Sequence, residues 1–234
     1  EKSKGDDAYC MIRTLLKPAE TQIQSMNYVL GKAVTDAYDQ CQSSSSSSQS
    51  GCSMTKHELS PTDKHIKSGS IAVVALHLRL QEQISTTLDV NWGLQCAAMV
   101  GAQFAKSGNG GRGSSVVVFV LATDTPDLLD SIAHHIKTSP VCEQHVCAFA
   151  TNEGIGDVGH ISNKVTIGKQ SVSQRIWADW FLLSEASICV YTRSGFPRMA
   201  CEASHHHAAI ESRLLEKGTC GAEGLKSWRE AKTD

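Results

Sequence analysis

From Ile71 onward, short apolar runs rich in β-branched residues alternate with longer amphipathic stretches, and this repeat restricts the possible fold more than any other feature of the chain. Ile71–Leu78 (IAVVALHL) is near-continuously apolar, as a strand covered on both faces must be, and residues 91–106 follow it as a helix. Val116–Ala122 (VVVFVLA) is the strongest strand in the sequence. Pro126–Lys137 (PDLLDSIAHHIK) opens on proline, places its acids early and ends on lysine, which complements a helix macrodipole. His145–Ala150 reads as a third strand, and Ser173–Ala186 carries Ile176, Trp180 and Leu183 at helical spacing. Ile188–Tyr191 makes a fourth strand and Phe196–Leu215 a last helix. Strand and helix in such alternation predict an α/β fold: a parallel, doubly wound, Rossmann-like sheet of about four strands with flanking helices.

Before this repeat, Pro18, Ile23, Met26, Leu30, Ala33 and Ala37 form a helix-period stripe over residues 18–39. From Cys41 to Gly69 the composition collapses into a serine run (Ser43–Ser48) followed by Gln, Gly, Lys and Pro, which cannot bury enough apolar area to offset chain entropy. The expected organisation is a lead-in and helix over 1–40, a disordered Ser-rich insertion over 41–69, the Rossmann-like domain over 70–216 and a tail over 217–234. No apolar run in the 234 residues reaches the ~18 residues of a membrane span. With 22 basic against 24 acidic side chains there is no surplus to hold nucleic-acid phosphates, so no nucleic-acid partner is expected. Glu1–Asp7 is charged and leads into no apolar signal region.

Nine cysteines form no CxxC pair, which argues against a zinc ribbon. They fit either a lumenal domain with a few disulfides and one leftover thiol, or buried cysteines acting as small apolar residues. Cys96 and Cys189 sit in apolar stretches and read as core, whereas Cys142 and Cys147 flank a short turn and are placed to pair with each other or elsewhere. Their number also raises a thiol-dependent function.

Ligands of open parallel sheets bind beyond the carboxyl ends of the strands. Those ends are polar here: His77-Leu78-Arg79, Thr123-Asp124, Thr151-Asn152 and Thr192-Arg193-Ser194-Gly195. Strand alternation puts His77 and Arg79 on one face, so an imidazole and a cation can reach one anion together. Ser194 and Gly195 precede a helix, where free N–H groups favour a phosphate. Each residue also has a plainer reading. His77 and Arg79 can simply end a strand in solvent, Asp124 can cap the helix that Pro126 opens, and Ser194 can cap the helix at Phe196. Their coincidence at one sheet edge points to a nucleotide or phosphorylated ligand.

Gly108–Gly113 (GNGGRG) precedes a strand, the wrong context for a phosphate cradle. His205, His206 and His207 are consecutive on an expected helix and fan apart by ~100° each, so they cannot share one metal. No GxSxG, HExxH or P-loop pattern occurs.

Ala75-Leu76-His77-Leu78-Arg79 resembles the HxR segment of the fucosyltransferase superfamily, which includes the α1,6-, α1,2- and protein O-fucosyltransferases. Phe119–Pro126 (FVLATDTP) is similar to its strand-then-TD segment, and Ala178–Ala200 (ADWFLLSEASICVYTRSGFPRMA) to its third segment. Cys10–Pro18 (CMIRTLLKP) is similar to the lead-in of some members, so the resemblance covers residues 9–215 around the serine insertion.

The resemblance implies the C-terminal, donor-binding half of a GT-B glycosyltransferase, with GDP-fucose as the nucleotide-sugar donor and a glycan or protein as acceptor. Transfer to an acceptor hydroxyl would be inverting and would require no metal or other cofactor. By position, Arg79 pairs with the β-phosphate and His77 holds the nucleotide or orients Arg79; these two are the expected catalytic residues. Asp124 meets the base or ribose, Ser194, Gly195 and Phe196 bind the diphosphate, and Asp179 lies near the nucleotide. The implied compartment is the Golgi or ER lumen, with an acceptor domain and a membrane anchor upstream of this chain. Two departures stand out: Leu80-Gln81-Glu82 follows Arg79 where relatives place another basic or acidic residue, and Gly195 replaces a frequent serine. A Rossmann-like module that binds a nucleotide or glycan without catalysis is the alternative.

Overall fold

The computed structural model describes residues 20–44, 71–80, 87–106, 116–152, 170–192, 194–202, 208–211 and 220. Within them the elements run α1 (Glu20–Ser44), β1 (Ile71–Leu78), α2 (Thr87–Lys106), β2 (Val116–Thr123), a 3₁₀ turn (Pro126–Leu128), α3 (Leu129–Lys137) and α4 (Pro140–Gln144). They continue through β3 (Val146–Thr151), α5 (Gln170–Glu185), β4 (Ile188–Tyr191), α6 (Gly195–Glu202) and β5 (Ala208–Glu211).

The strands form one sheet in the order β3-β2-β1-β4-β5, and every pairing is parallel. The chain is thus α/β with an open, Rossmann-like sheet, and the strand count is five instead of four. The extra strand corrects the expected helix over 196–215: α6 stops at Glu202, and Ala208–Glu211 pairs with β4 from Ile188↔Ala208 to Tyr191↔Glu211. Ala-Ala-Ile-Glu has no strand character of its own. A strand forms there because the edge of β4 offers a backbone ladder, a tertiary effect that outweighs local propensity.

Burial explains the apolar runs. Every residue of β2 is buried, because alternate side chains enter two different cores. On one face Val73, Ala75, Val118, Val120 and Cys189 pack with Leu30, Ala33 and Val34 of α1 and Trp180, Phe181 and Leu183 of α5. On the other, Val74, Leu76, Val117, Phe119 and Val190 pack with Leu94, Ala97 and Val100 of α2 and Ile132 and Ile136 of α3. Gly101 lets α2 approach closely, since a Cβ there would lie 3.1 Å from Phe119 Cζ and 3.3 Å from Val117 Cγ1.

Cysteine placement corrects one expectation and decides another. Cys96 and Cys189 are buried as expected, yet each is disulfide-bonded, Cys96 to Cys220 and Cys189 to Cys201. Cys142 and Cys147 pair with each other across the end of α4. Cys220, in the expected tail, is therefore anchored on α2. The helix α1 runs through Ser44, four residues into the expected disordered insertion; the remainder of that insertion, the Gly108–Gly113 segment, His205–His207 and the Cys10–Pro18 lead-in lie outside the described residues.

Candidate functional site

From β1 the chain proceeds to β2 and β3 on one side, then returns to β4 and β5 on the other. The connections therefore diverge above β1 and β4, and this switch point is where a doubly wound sheet leaves a crevice. The end of β1 meets Thr192, which follows β4, and Phe196 at the start of α6 there. Of the seven expected site residues, His77, Arg79, Ser194, Gly195 and Phe196 belong to it, Asp124 borders it from β2, and Asp179 lies elsewhere.

His77 is not a solvent-exposed strand end. Only 8% exposed, it faces the α1/α5/α6 layer, and its ring stands 5.8 Å from that of Phe196. Phe196 in turn meets Trp180 edge-on at 5.7 Å. Burial pulls the imidazole pKa down to about 4, with Asp124 opposing the shift and Arg79 adding to it. At neutral pH His77 is therefore uncharged, and its buried Nδ1 has no hydrogen-bond partner. Of the imidazole and the cation that strand alternation puts on one face, His77 is thus a neutral group and Arg79 the cation.

Just beyond His77 the sheet ladder ends, because β1 pairs with β4 only up to His77↔Tyr191 and with β2 up to Leu78↔Thr123. Backbone groups past that point need other partners. Thr192 N–H donates to the His77 carbonyl at 3.0 Å, and Arg79 N–H, just past β1, donates to Thr192 Oγ1 at 2.7 Å. Leu80 N–H donates to Asp124 Oδ1 at 2.8 Å, and Thr125 Oγ1 donates to the same oxygen at 3.2 Å. Asp124 is consequently neither an N-cap nor turned wholly outward. The residue at the cap of the 3₁₀ turn is Thr125, one position later, and no side chain caps either it or α3.

Across the crevice, Ser194 immediately precedes α6, and its carbonyl accepts from Arg198 N–H at 3.4 Å. Gly195 is exposed, and a Cβ on it would have no heavy atom within 4 Å. A serine at this position is thus sterically acceptable in this chain. Pro197 has no N–H and Arg198 N–H is bonded to the Ser194 carbonyl, so the amides of α6 without an intrahelical acceptor are those of Gly195 and Phe196, the helix-end chemistry that suits an anion.

Asp179 sits at the far side of the same edge. Asn152, which follows β3, donates from Nδ2 to Asp179 Oδ1 at 2.8 Å, and Arg175 Nε lies 3.2 Å from Asp179 Oδ2 one helical turn away. Arg175 Nη1 also donates to the Asn152 carbonyl. Arg175 and Asn152 are 3% and 1% exposed, and burial raises the Asp179 pKa while Arg175 and Asn152 hold it down. By register Asn152 stands level with Ala122 and so with His77, two strands away. That is a separation of about 10 Å at ordinary strand spacing. Asp179 thus belongs to a buried ion pair with Arg175, in which Arg175 Nη2 and Asn152 Oδ1 have no partner among the described residues, and it lies apart from the switch-point group.

Arg175 was not singled out by its sequence context, although its i, i+4 spacing to Asp179 could have shown it. Thr192 and Asn152 stood out only as polar strand ends; their partners exist only once the strands and α5 are assembled. Among the described residues no group of three or more His, Cys, Asp or Glu is arranged to hold a metal ion, and no helix is long and apolar enough to cross a membrane. No protein-family model matches the chain, and no curated protein matches it.

Proposed function

We propose that the chain is the donor-binding domain of a fucosyltransferase-like glycosyltransferase, holding GDP-fucose across the β1/β4 switch point. The observation that carries this reading is the bond from the Arg79 amide to Thr192, three residues before α6, which brings the end of β1 and the approach to the Gly195 and Phe196 amides to one switch point. In the proposed reaction an acceptor hydroxyl oxygen attacks the anomeric carbon in line with the departing GDP. The bond from that carbon to the β-phosphate oxygen breaks, its electron pair stays on the phosphate, the hydroxyl proton leaves to base or solvent, and configuration inverts. Arg79 and the α6 amides stabilise the negative charge that develops on the leaving group, so this reading needs no metal. His77, neutral and packed on Phe196, supports the wall of the site. The three disulfides among the described residues support a lumenal compartment of the secretory pathway.

A non-catalytic nucleotide- or glycan-binding module is the second reading, favoured by one observation: His77 is sealed beneath Phe196 and kept uncharged. Calorimetry with GDP, GDP-fucose and UDP tests the site itself. GDP and GDP-fucose are expected to bind more tightly than UDP, and Arg79→Ala to weaken GDP at least tenfold while the exposed Lys137→Ala does not. A folded chain that ignores GDP at millimolar concentration sinks the reading. Release of GDP from GDP-fucose with acceptor glycans or proteins separates enzyme from module.

A further inference from the structure

We infer that Thr192 is a positioning residue, forming with Asp124 a two-sided brace that aims Arg79 at the candidate site. The inference rests on the reading of that site as an anion site, and it assigns a role to a residue that the fucosyltransferase resemblance does not.

Where β1 outruns its neighbours, Arg79 and Leu80 have lost the regular ladder, so their direction is not set by the sheet. Two side chains replace the missing carbonyls, one from each flanking strand. Thr192, at the exit of β4, accepts Arg79 N–H, and Asp124, at the exit of β2, accepts Leu80 N–H. Thr192 also returns its own N–H to the His77 carbonyl, making a closed two-bond link between the β1 and β4 exits. It is fully buried, so these bonds are shielded from competing water. α6 begins three residues after Thr192, so the same link joins the end of β1 to the strand exit that leads into α6. Chain segments that leave a sheet are normally its least ordered parts. Here the guanidinium is carried on backbone pinned from both sides, which lowers the ordering cost of capturing an anion.

Two substitutions separate the hydroxyl from the shape of the side chain. Thr192→Val keeps the volume and removes the acceptor, whereas Thr192→Ser keeps the acceptor. Amide hydrogen exchange on the ligand-free chain reads the brace directly: in Thr192→Val the Arg79 amide is expected to exchange at least tenfold faster, with Val74 unchanged, and in Thr192→Ser to stay within about threefold of wild type. GDP affinity by calorimetry then reads its consequence. Thr192→Val is expected to weaken GDP about tenfold and Thr192→Ser less than threefold. In an Arg79→Ala background the further effect of Thr192→Val is expected to disappear, since it acts through Arg79.

Unchanged Arg79 exchange in Thr192→Val overturns the brace whatever the ligand result. Faster exchange with unaltered GDP affinity, or an effect of Thr192→Val that persists in full without Arg79, overturns the positioning role. If wild type binds no GDP, the nucleotide reading fails, and the exchange measurement by itself decides whether the brace exists.

Discussion

Two acidic residues at the same edge of the sheet have opposite surroundings. Asp124 is half-buried beside the switch point and accepts from the amide of Leu80, so its carboxylate organises the backbone where β1 ends. Asp179, about two strands from β1, pairs with Arg175 and Asn152 among the described residues. A functional surface and a structural ion pair can thus arise from equally polar strand ends. What separates them is whether the loops above diverge, as over β1 and β4, or whether a helix such as α5 closes over the end.

The largest expected effect comes from breaking the buried ion pair. Arg175→Ala leaves a buried carboxylate without its counter-charge and should cost roughly 3 to 5 kcal/mol in urea unfolding. Much of that loss should return in Arg175→Ala/Asp179→Asn. Unchanged stability in Arg175→Ala would mean that the Asp179 centre is as solvated as the switch point, and the contrast would collapse.

Acid should next strike the switch point through His77. Its folded pKa of about 4 lies below the ordinary 6.5, so between these values the unfolded chain binds a proton that the folded chain refuses. The stabilisation is fully present above pH 6.5 and is lost as pH falls towards 4, at up to about 1.4 kcal/mol per pH unit. Chemical denaturation from pH 7 to pH 4.5 should show this slope in wild type and a shallower one in His77→Gln. Equal slopes would assign the acid sensitivity to other groups.

A smaller loss is expected away from the site, where the sheet is packed against α2. Gly101→Ala pushes a methyl into Phe119 and Val117 and should destabilise by about 1 to 3 kcal/mol in the same assay, without altering GDP affinity of the folded chain. A change in affinity would show that the α2 face communicates with the switch point.

The mildest change tests openness at the crevice. Gly195→Ala adds a methyl into unoccupied space at the first residue of α6 and should be neutral to stabilising by up to about 1 kcal/mol, with GDP affinity within twofold because the N–H is retained. A tenfold affinity loss would place the ligand directly against Cα of residue 195.

Much of the fold was legible from local pattern. Ile71–Leu78 and Ile188–Tyr191 match the observed strands residue for residue, because a strand buried on both faces must be continuously apolar. The stripe of Leu30 and Ala33 likewise identified the buried face of α1. Ala208–Glu211 escaped detection because its strand identity is lent by β4, and α4 because five residues are too few to show a period. Among the site residues, His77 and Arg79 were visible as polar groups ending an apolar run, but the neutrality of His77 was not, since burial beneath Phe196 depends on the docking of α6.

The sequence alone determined that the sheet is parallel and covered on both faces, because only two-sided burial stabilises such runs of Val, Ile and Ala. It also placed polar residues at each strand exit. Tertiary structure decided which exits work together. The order β3-β2-β1-β4-β5 brings Thr192 to Arg79 and removes Asp179 from both, and strand order depends on how helices close over the two faces, a choice that no local stretch of residues encodes.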